Sequence, residues 1–595
     1  MVIAIPLYLV AIIGICWFLY YFGPGLVYLA IYAKWVYPRV EELREFILRR
    51  LYGKIRKATE RVAEATRPTP SVEEGASRHK TGHAPSGTEQ HSRRSIVGID
   101  LGTSRSAVAI MDGGSPFVIP AIDGSLTIPS LVLFTPDQKI LAGCLAARHP
   151  ERYQGKNVLV QSFKRMMGKL RSNVWGYLKS PPEEVSAFVL HELKRQAEGF
   201  LGNEVPMAVI AIPAHFDINQ RQAVKDAALI AGLEPVRLLN EATAAGLAFA
   251  HRRQNRRDMK LLVFDLGAGT TDVSILKFGS GVIEVLSIEG DSALGGLDFD
   301  KVIVDYVLEK IGKEMGSKYD LDSFQRLVLA EVAERAKIDL TTAPIAAILI
   351  PGFLQVGGIT RDLDLTIERA EFERRSEKLI DRILDIVSKA LISAHSDQTP
   401  LGAFLLVGNA SQMPIIRNSI RERQHIEPVG GLDPKLCVAQ GAAIMAGVLT
   451  GEIKDTLLLD VISGSLGIGL EGDRYEVLIE KNTTTPVEKS RIFTTTRDNQ
   501  DRISVPVYQG ENPKASENTF LGMLTLDGIL PAAAKVPQIK VSFSVDSNTF
   551  ISCQAKNLGT NSMGNGSSLT LRPPHALTPA ELKSRIQRFS ALRST

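Results

Sequence analysis

The feature that most constrains the fold of this chain is a short glycine turn that occurs twice. The first copy reads IDLGTS at residues 99–104, and the second reads FDLGAGTT at residues 264–271. Each turn is entered through an apolar run and left through an alternating one, which predicts a strand, a tight turn and a returning strand. Glycine and threonine let backbone N–H groups approach phosphate oxygens, and an aspartate ahead of each turn suits Mg²⁺. One such hairpin carries little weight, but two suggest a duplicated fold that holds a polyphosphate from both sides.

Length and composition limit the class of protein. A chain of 595 residues is too long for a single hydrophobic core, so we expect several domains. The net charge of +4 gives no nucleic-acid footprint, and no nucleic-acid partner is expected. The cysteines are scattered without metal spacing, which indicates reduced thiols in an intracellular protein; they are Cys16, Cys144, Cys437 and Cys553.

The N-terminal segment is unusual for a soluble protein. Residues 2–22 are uncharged and apolar and end in aromatic side chains, without the basic start of a secretory signal. As a helix this run would span roughly 31 Å, about one hydrocarbon core. A second apolar piece at 26–36 either extends the helix or lies in the interface. We therefore predict a single-pass transmembrane anchor over residues 1–37.

A basic amphipathic helix is predicted over residues 38–65, because apolar residues recur at helical spacing and arginine and lysine occupy the other faces. A coiled coil, or a helix packed on its own domain, is the alternative. Directly after a membrane span, such a helix favours the anionic inner leaflet, which places the bulk of the chain in the cytoplasm. Residues 66–94 have no apolar period and are predicted to be a flexible linker.

From residue 95 onward the order and spacing of several motifs resemble those of the Hsp70 chaperones. The motifs are GIDLGT at 98–103, SFKRMMG at 162–168, IPAHF at 212–216, NQRQ at 219–222, NEATAA at 240–245, DLGAGTTDVSIL at 265–276, GDSALGG at 290–296, LLLDV at 457–461 and NTTTP at 482–486. The resemblance implies an α/β actin-like ATPase of two lobes, a duplicated ribonuclease H-like fold, over 95–453. An interdomain linker at 454–460, a peptide-binding antiparallel β-sandwich at 461–572 and a truncated lid helix at 573–595 would follow.

The resemblance also assigns roles around the phosphates of ATP or ADP. It implies that Asp100 and Asp265 hold Mg²⁺, mainly through its waters. Lys164 would neutralise the γ-phosphate and orient the attacking water, with Glu241, Thr270 and Asp272 as the other catalytic groups. The alternative for Lys164 and Glu241 is that they are surface charges on helices. The remaining implied nucleotide-binding residues are Gly102, Thr103, Ser104, Gly267, Ala268, Gly269, Gly295, Gly296, Glu334, Lys337, Thr341, Gly408 and Asp433.

Several positions depart from the family pattern. Arg105 adds a cation beside the first turn, which would either grip the γ-phosphate or repel Mg²⁺. Ala268 replaces a glycine, which requires a negative φ or some strain there. Ile338 and Gln412 stand where the family has two arginines that sandwich the adenine. Since one such stack contributes about 0.5–2 kcal/mol, losing both costs about ten- to thousand-fold in affinity. We therefore expect the phosphates to dominate nucleotide binding.

Three leucines at 457–459 lie where a plain loop would be polar. They are either the end of a buried strand or, by the resemblance, a linker that docks in one state and is exposed in another. The resemblance makes Pro213, Arg221, Glu241 and Asp460 a relay from the nucleotide to this linker.

Beyond the linker, alternating apolar residues at 503–507 and 539–545 predict half-buried strands. A capping box formed by Thr578 and Glu581 predicts a helix that runs to about residue 591. Because the family lid is much longer, we expect fast peptide release. By the resemblance the peptide groove is lined by Ile468, Phe493, Ile503 and Val505, for which the alternative is a place in the sandwich core.

The sequence leaves more than one function open. The first is a membrane-tethered, ATP-dependent chaperone that binds extended apolar segments of clients, with Mg²⁺ and ATP or ADP as cofactors. Its implied partners are a J-domain co-chaperone and a nucleotide exchange factor, although His215, Asp217 and Ile218 depart from the surface that meets J-domains. The second is a scaffold with weak or no ATP turnover that recruits partners to the membrane. A kinase or filament protein of the actin superfamily would need neither the leucine linker nor a sandwich.

Overall fold

The computed structural model describes residues 95–149, 152, 156–168, 180–253, 258–279, 281–316, 318–356, 359–394, 399–454, 456–559, 566–570 and 577–593. The predicted membrane anchor, amphipathic helix and flexible linker at 1–94 lie outside this part of the chain. None of the helices in the described ranges is long and apolar enough to cross a bilayer.

The first lobe is a mixed sheet covered by helices. Its strands are β1 (Ile96–Asp100), β2 (Arg105–Asp112), β3 (Ser115–Val118), β4 (Ile128–Pro129), β5 (Val132–Phe134), β6 (Ile140–Ala142), β7 (Val158–Val160), β8 (Met207–Ile212) and β9 (Glu234–Asn240). Its helices are α1 (Cys144–Arg148), α2 (Pro182–Leu201), α3 (Ile218–Ile230) and α4 (Glu241–Arg252). The main sheet has the order β3-β2-β1-β8-β9 with β4 beside β2, and β6-β5-β7 form a small second sheet.

The second lobe repeats this plan and adds a hairpin. Its strands are β10 (Met259–Leu266), β11 (Thr271–Gly279), β12 (Val282–Asp291), β13 (Ile345–Val356), β14 (Ile359–Glu368) and β15 (Leu401–Val407). Its helices are α5 (Gly296–Met315), α6 (Ser323–Asp339), α7 (Arg369–Arg375), α8 (Glu377–Ser393) and α9 (Pro414–Gln424). The helix α10 (Cys437–Leu449) then returns to pack against β1 and α4 of the first lobe.

The two lobes share one topological core. Strand β1 pairs antiparallel with β2, which follows the first glycine turn, and parallel with β8. Strand β10 pairs antiparallel with β11, which follows the second turn, and parallel with β15. The predicted strand–turn–strand units are therefore confirmed, and the repeated pairing shows the duplicated α/β fold that the two turns suggested.

The linker leucines form a short strand, β16 (Leu457–Leu459), at the edge of the second lobe's sheet. It pairs in parallel with β12, and Leu458 lies opposite Ile283. Leu458 also packs against a buried cluster of the ATPase, whereas Leu457 stays largely exposed. The linker is therefore docked in this structure.

Two four-stranded antiparallel sheets follow the linker. Their strands are β17 (Leu466–Leu470), β18 (Arg474–Ile479), β19 (Val487–Thr494), β20 (Arg502–Gln509), β21 (Thr519–Asp527), β22 (Gln538–Val545), β23 (Ile551–Asn557) and β24 (Gly566–Thr570). The sheet orders are β18-β17-β20-β21 and β19-β22-β23-β24. The predicted alternation is confirmed along β22, where every second residue is buried in a core that contains residues of both sheets.

The C-terminal helix α11 (Pro579–Arg593) begins at the predicted capping box. The Thr578 N–H donates to Glu581 Oε2 at 2.8 Å, and the Glu581 N–H donates to Thr578 Oγ1 at 3.2 Å. The helix packs on the first lobe, where the buried ring of Phe589 lies 4.7 Å from the ring of Phe188 on α2. Its apolar face is thus covered by the ATPase lobe.

Candidate nucleotide site

A cavity opens between the two lobes, where the two glycine turns face each other. It collects residues that are far apart in the sequence and that come from strand ends, turns and the helices α4 and α6. Most of the predicted phosphate and nucleotide residues line it, namely Asp100, Gly102, Thr103, Ser104, Lys164, Glu241, Asp265, Gly267, Ala268, Thr270, Gly296, Glu334, Lys337, Thr341 and Gly408. Gly269, Asp272, Gly295 and Asp433 were also predicted and are not among the lining residues.

Lys164 and Glu241 form a buried ion pair at the inner end of this cavity. Lys164 lies on a turn of 3₁₀ helix at Phe163–Met166, and Glu241 is the first residue of α4. Lys164 Nζ lies 2.5 Å from Glu241 Oε1, and the two side chains are only 3% and 9% exposed. The surface-charge alternative is therefore wrong. Burial raises the pKa of Glu241 and Asp272 adds to this, while Lys164 opposes it.

Asp100 is the last residue of β1 and Asp265 the last but one of β10, and they bring two further carboxyl groups to the cavity. Burial, and then the charge of Glu241, raise the pKa of Asp100 to about 7 against the opposing effect of Lys164. Burial and the neighbouring carboxylates raise the pKa of Asp265 well above its usual value. A cation between these carboxylates would favour their ionised forms.

The donor set fits Mg²⁺ that retains much of its own water. In the described ranges no group of three or more His, Cys, Asp or Glu side chains is arranged to hold a metal ion directly. Two hard carboxylate ligands, with waters and phosphate oxygens completing the octahedron, are typical of Mg²⁺ beside a nucleotide. Asp100 and Asp265 are the residues that would hold it.

A third turn closes over the second one at Gly408. This residue has φ of +76°, and a Cβ there would lie 2.4 Å from the carbonyl oxygen of Leu266 and 2.7 Å from Asp265 Oδ1. Only glycine permits this approach. Asp433 caps the start of α10, where its carboxylate accepts the Lys435 N–H at 2.9 Å and its carbonyl accepts the N–H groups of Leu436 and Cys437; its predicted contact with the nucleotide stays a prediction.

The base end of the cavity is formed largely by α6. Lys337 is buried there, with Nζ 2.6 Å from Asp300 Oδ1 and a hydrogen bond to the carbonyl of Gly296 at 3.0 Å. Burial raises the pKa of Asp300 to about 6 although Lys337 opposes this. Ile338 lines the cavity and is 54% exposed, whereas Gln412 is not among the lining residues.

Arg105 and Ala268, the two residues next to the glycine turns that differ from the family pattern, are accommodated without backbone strain. Arg105 donates from Nε to Thr127 Oγ1 at 2.6 Å and from Nη2 to the Thr127 carbonyl at 2.8 Å, so its guanidinium is held by a loop of the first lobe. Ala268 is not among the residues with positive φ, so the strain alternative is wrong.

Arg165 joins the two lobes, a role that the sequence motifs did not predict. Its Nε donates to the carbonyl of Gly269 at 2.8 Å, and its Nη2 lies 2.5 Å from Asp298 Oδ2. The same Asp298 oxygen accepts the N–H of Gly295 at 2.8 Å. The sequence does carry one signal for this contact, a second basic residue directly after Lys164 in the SFKRMMG motif.

A continuous chain of hydrogen bonds leads from this site to the linker. Asp272 Oδ1 accepts the Ala214 N–H at 2.9 Å. Arg221 Nη2 donates to the Ala214 carbonyl at 3.1 Å and to Asn240 Oδ1 at 3.0 Å. Asn240 Nδ2 then donates to Asp460 Oδ1 at 2.9 Å. The relay predicted from Arg221 and Asp460 thus has a physical path, which passes through a backbone amide and an asparagine as well as charged groups.

Comparisons with known proteins decide the family. The family model described as Hsp70 protein matches residues 96–176 and 169–589. The chaperone protein DnaK of Methanothermobacter thermautotrophicus is 42% identical over 499 residues, which are 83% of this chain and 83% of that protein. The chain belongs to the Hsp70 family. It is accordingly an ATP-binding chaperone of the DnaK type.

The sandwich of this Hsp70 protein also contacts strand β12 of the ATPase. Lys481 Nζ lies 2.7 Å from Glu289 Oε1, and the Ile288 N–H donates to Asn482 Oδ1 at 3.1 Å. Both sandwich residues lie in or directly before the NTTTP motif. The docked linker and these contacts connect the same ATPase strand with the sandwich.

The predicted groove residues of this Hsp70 protein lie in two environments. Ile468 and Val505 are buried in the core shared by the two sandwich sheets. Phe493 and Ile503 are partly buried and pack against that core from its edge. In this conformation the latter pair is the more accessible.

Proposed function

We propose that this protein is a membrane-tethered Hsp70 chaperone that hydrolyses ATP and binds extended apolar segments of client proteins. The observation that carries the proposal is the hydrogen-bond chain from Asp272, beside the phosphate end of the cavity, to Asp460 after the linker. A nucleotide-binding fold without coupling would have no need of this buried polar path. Buried polar groups are costly unless they are paired, and hydrogen bonds along this path pair Asp272 Oδ1, Arg221, Asn240 and Asp460.

The residues of the cavity divide the chemistry of phosphoryl transfer to water among them. Lys164 neutralises developing charge on the terminal phosphate, and Glu241 holds its ammonium group in place. Backbone N–H groups of the two turns cradle the phosphates, and Thr270 lies at the end of the second turn. Asp100 and Asp265 are the residues that would hold Mg²⁺, which would neutralise phosphate charge when bound.

Coupling to the sandwich follows from what the chain of hydrogen bonds connects. The docked strand β16 and the ion pair of Lys481 with Glu289 hold the sandwich against the ATPase. Phosphates that favour the present arrangement of Asp272 therefore favour linker docking, and a docked linker favours phosphate binding by the same free energy. A J-domain co-chaperone and a nucleotide exchange factor are proposed partners that would act on this equilibrium.

The membrane tether rests on the sequence of residues 2–22 and on the basic helix predicted over 38–65. We propose a single-pass anchor with the chaperone in the cytoplasm. Extraction of membranes with carbonate or high salt should leave the full-length protein in the pellet, and detergent should release it. Release by carbonate alone would exclude the anchor.

A scaffold with little ATP turnover is the second candidate. It is favoured by the base end of the cavity, where Ile338 is half exposed and Gln412 does not reach the lining. Nucleotide would then bind weakly, and the protein would act by recruiting partners to the membrane.

One experiment separates these functions. ATP turnover by the full-length protein in detergent or liposomes is compared with turnover by Lys164→Ala. Turnover well above that of the variant supports the chaperone, and equal rates together with measurable nucleotide binding support the scaffold.

Peptide exchange tests the client-binding part. A labelled apolar peptide should be released rapidly in both nucleotide states, because α11 packs on the first lobe. Slow release over many minutes with ADP would show that another element closes the groove.

A further inference from the structure

We propose that His215 is a positioning residue for ATP hydrolysis, which holds the carboxylate of Asp272 in a fixed orientation near the Lys164–Glu241 pair and so makes turnover depend on pH. The inference deepens the proposed ATPase function and rests on it. It arises from a histidine that the relay does not need, in the loop between β8 and α3.

His215 and Asp272 are in direct contact. His215 Nδ1 lies 2.7 Å from Asp272 Oδ1, and the side chains are 15% and 1% exposed. The same carboxylate oxygen accepts the backbone N–H groups of Ala214 at 2.9 Å and His215 at 3.3 Å. One oxygen of Asp272 is therefore surrounded by donors from a single loop, which fixes the direction of the carboxylate.

The other atoms of this pair are buried without partners. Asp272 Oδ2 and His215 Nε2 make no hydrogen bond to any part of the chain that the structure describes. A buried carboxylate oxygen without a donor is costly and is often explained by function. Because the donors gather at Oδ1, the position of the Asp272 carboxylate depends on that one oxygen and on the loop that holds it.

Strand β12 packs closely against the imidazole of His215. A Cβ on Gly290 would lie 2.5 Å from His215 Nδ1 and 2.8 Å from the carbonyl oxygen of Thr271. On another side the ring of Phe216 stands perpendicular to the imidazole, with centroids 6.2 Å apart. The imidazole is thus confined between β12 and its own loop, as expected for a positioning group.

The charges around His215 favour its cationic form. The carboxylates are Asp272 on β11, Glu241 on α4, Asp291 on β12 and Asp217 in its own loop. The cations are Arg221 on α3, which donates to the carbonyls of Ala214 and Phe216 on either side of His215, and Lys164, which is paired with Glu241. Burial alone would lower the pKa of His215, but Asp272, Glu241 and Asp291 together raise it above its usual value.

Turnover is expected to fall as the pH rises. Below the raised pKa the imidazolium stabilises the negative charge of Asp272 and donates to it. As the pH rises through that pKa the proton is lost, the hydrogen bond weakens and hydrolysis slows.

The test is single-turnover ATP hydrolysis by the full-length protein between about pH 6 and pH 9. We expect the wild-type rate to fall by roughly fivefold across this range. His215→Asn places an amide donor near the position of Nδ1 but cannot titrate, so its rate should stay within about threefold of wild type at low pH and be flat. His215→Phe keeps a ring and removes the donor, and its rate should fall at least about tenfold at every pH.

His251→Asn is the matched control. That histidine lies on α4, where its Nε2 is 3.0 Å from the carbonyl of Gly114, away from Asp272, and its variant should keep the wild-type pH profile. If His215→Asn shows the same pH-dependent fall as wild type, the proposal is overturned. If wild type hydrolyses ATP no faster than Lys164→Ala, the failure is that of the proposed function.

A readout independent of hydrolysis is the NMR titration of histidine labelled at Cε1 in the full-length protein. The resonance that disappears in His215→Asn should titrate above the usual histidine range and should shift to lower pKa in Asp272→Asn. Titration of that resonance below its usual range would overturn the proposal even if turnover varied with pH.

Discussion

The phosphate end and the base end of the nucleotide cavity are built on different principles. At the phosphate end, Lys164 and Glu241 are almost fully buried and paired with each other. At the base end, the cation Lys337 is paired with Asp300, and the half-exposed Ile338 is one of the side chains that line the cavity. Electrostatic interactions and hydrogen bonds are stronger where water is excluded, and water is excluded at the phosphate end. Most of the affinity for a nucleotide should therefore come from its phosphates.

The two ends also differ in what lies behind them. Asp272 begins the hydrogen-bond chain that reaches Asp460, whereas the contacts of Lys337 run to Asp300 and Gly296 within the second lobe. The linker should therefore respond to whether phosphates are bound and should be nearly indifferent to the base. Variants at both ends of the cavity test this difference.

The largest effect is expected at the phosphate end. Lys164→Ala should lower single-turnover hydrolysis at least about 100-fold, because it removes the charge that opposes the phosphates. The measurement is phosphate release from ATP in a single turnover. Lys389→Ala removes an exposed lysine paired with Asp385 and should change the rate by less than about twofold.

Loss of Lys164 also leaves Glu241 buried without a partner, which can unfold the protein. The double variant Lys164→Met with Glu241→Gln removes both charges. It should recover much of the thermal stability but none of the turnover. Recovery of turnover would mean that Lys164 acts only through folding.

The next effect concerns the linker. In Asn240→Ala the chain from Arg221 to Asp460 is interrupted, so ATP should no longer protect the bonds around Leu458 from protease. Wild type should show roughly tenfold protection with ATP, and GTP should protect equally well. Asn409→Ala changes a residue that lines the cavity outside the hydrogen-bond chain and should retain protection. Protection by ATP but not by GTP would contradict the comparison.

A smaller effect is expected at the base end. ATP and GTP should bind wild type within about tenfold of each other, and Ile338→Arg should tighten ATP by about three- to tenfold through stacking on the base. Titration calorimetry measures both. Ile345→Arg places the same charge at another exposed isoleucine and should leave affinity unchanged. A thousandfold preference for ATP in wild type would show that other residues read the base.

Local patterns were enough to predict much of the fold. The glycine turns, the alternation along β22 and the capping box at Thr578 depend on neighbouring residues, and each was found where the sequence indicated it. The cavity lining was predicted from the resemblance to the Hsp70 chaperones, and in the structure Asp100 lies at the end of β1 and Glu241 begins α4 beside the cavity.

What the sequence did not indicate depends on contacts between distant residues. Arg165 reaches the other lobe, and the packing of Phe589 on Phe188 places α11 on the ATPase. Neither contact leaves a periodic signal. Alternation at 503–507 predicts that Ile503 and Val505 share one face of a strand, but it cannot distinguish a core position from a groove. The role of the Ala214 N–H in the relay was invisible because every residue except proline has such a group.

The smallest effect is expected for Arg105, which lies beside the phosphate end of the cavity but is bound to a loop of its own lobe. Its side chain lines the cavity beside the first turn, yet both of its observed hydrogen bonds go to Thr127 of its own lobe. A guanidinium held in this way, in an exposed setting, contributes little to phosphate binding because water screens it. Arg105→Met should therefore change ADP and ATP affinity by less than about threefold, measured by calorimetry at low and physiological salt. Thr127→Val, which removes one acceptor and frees the guanidinium, should change ATP affinity more than Arg105→Met does if Arg105 can swing to the γ-phosphate. A loss of tenfold or more in Arg105→Met that is specific to ATP would show that the arginine already grips the terminal phosphate, and the phosphate end would then extend to the cavity mouth.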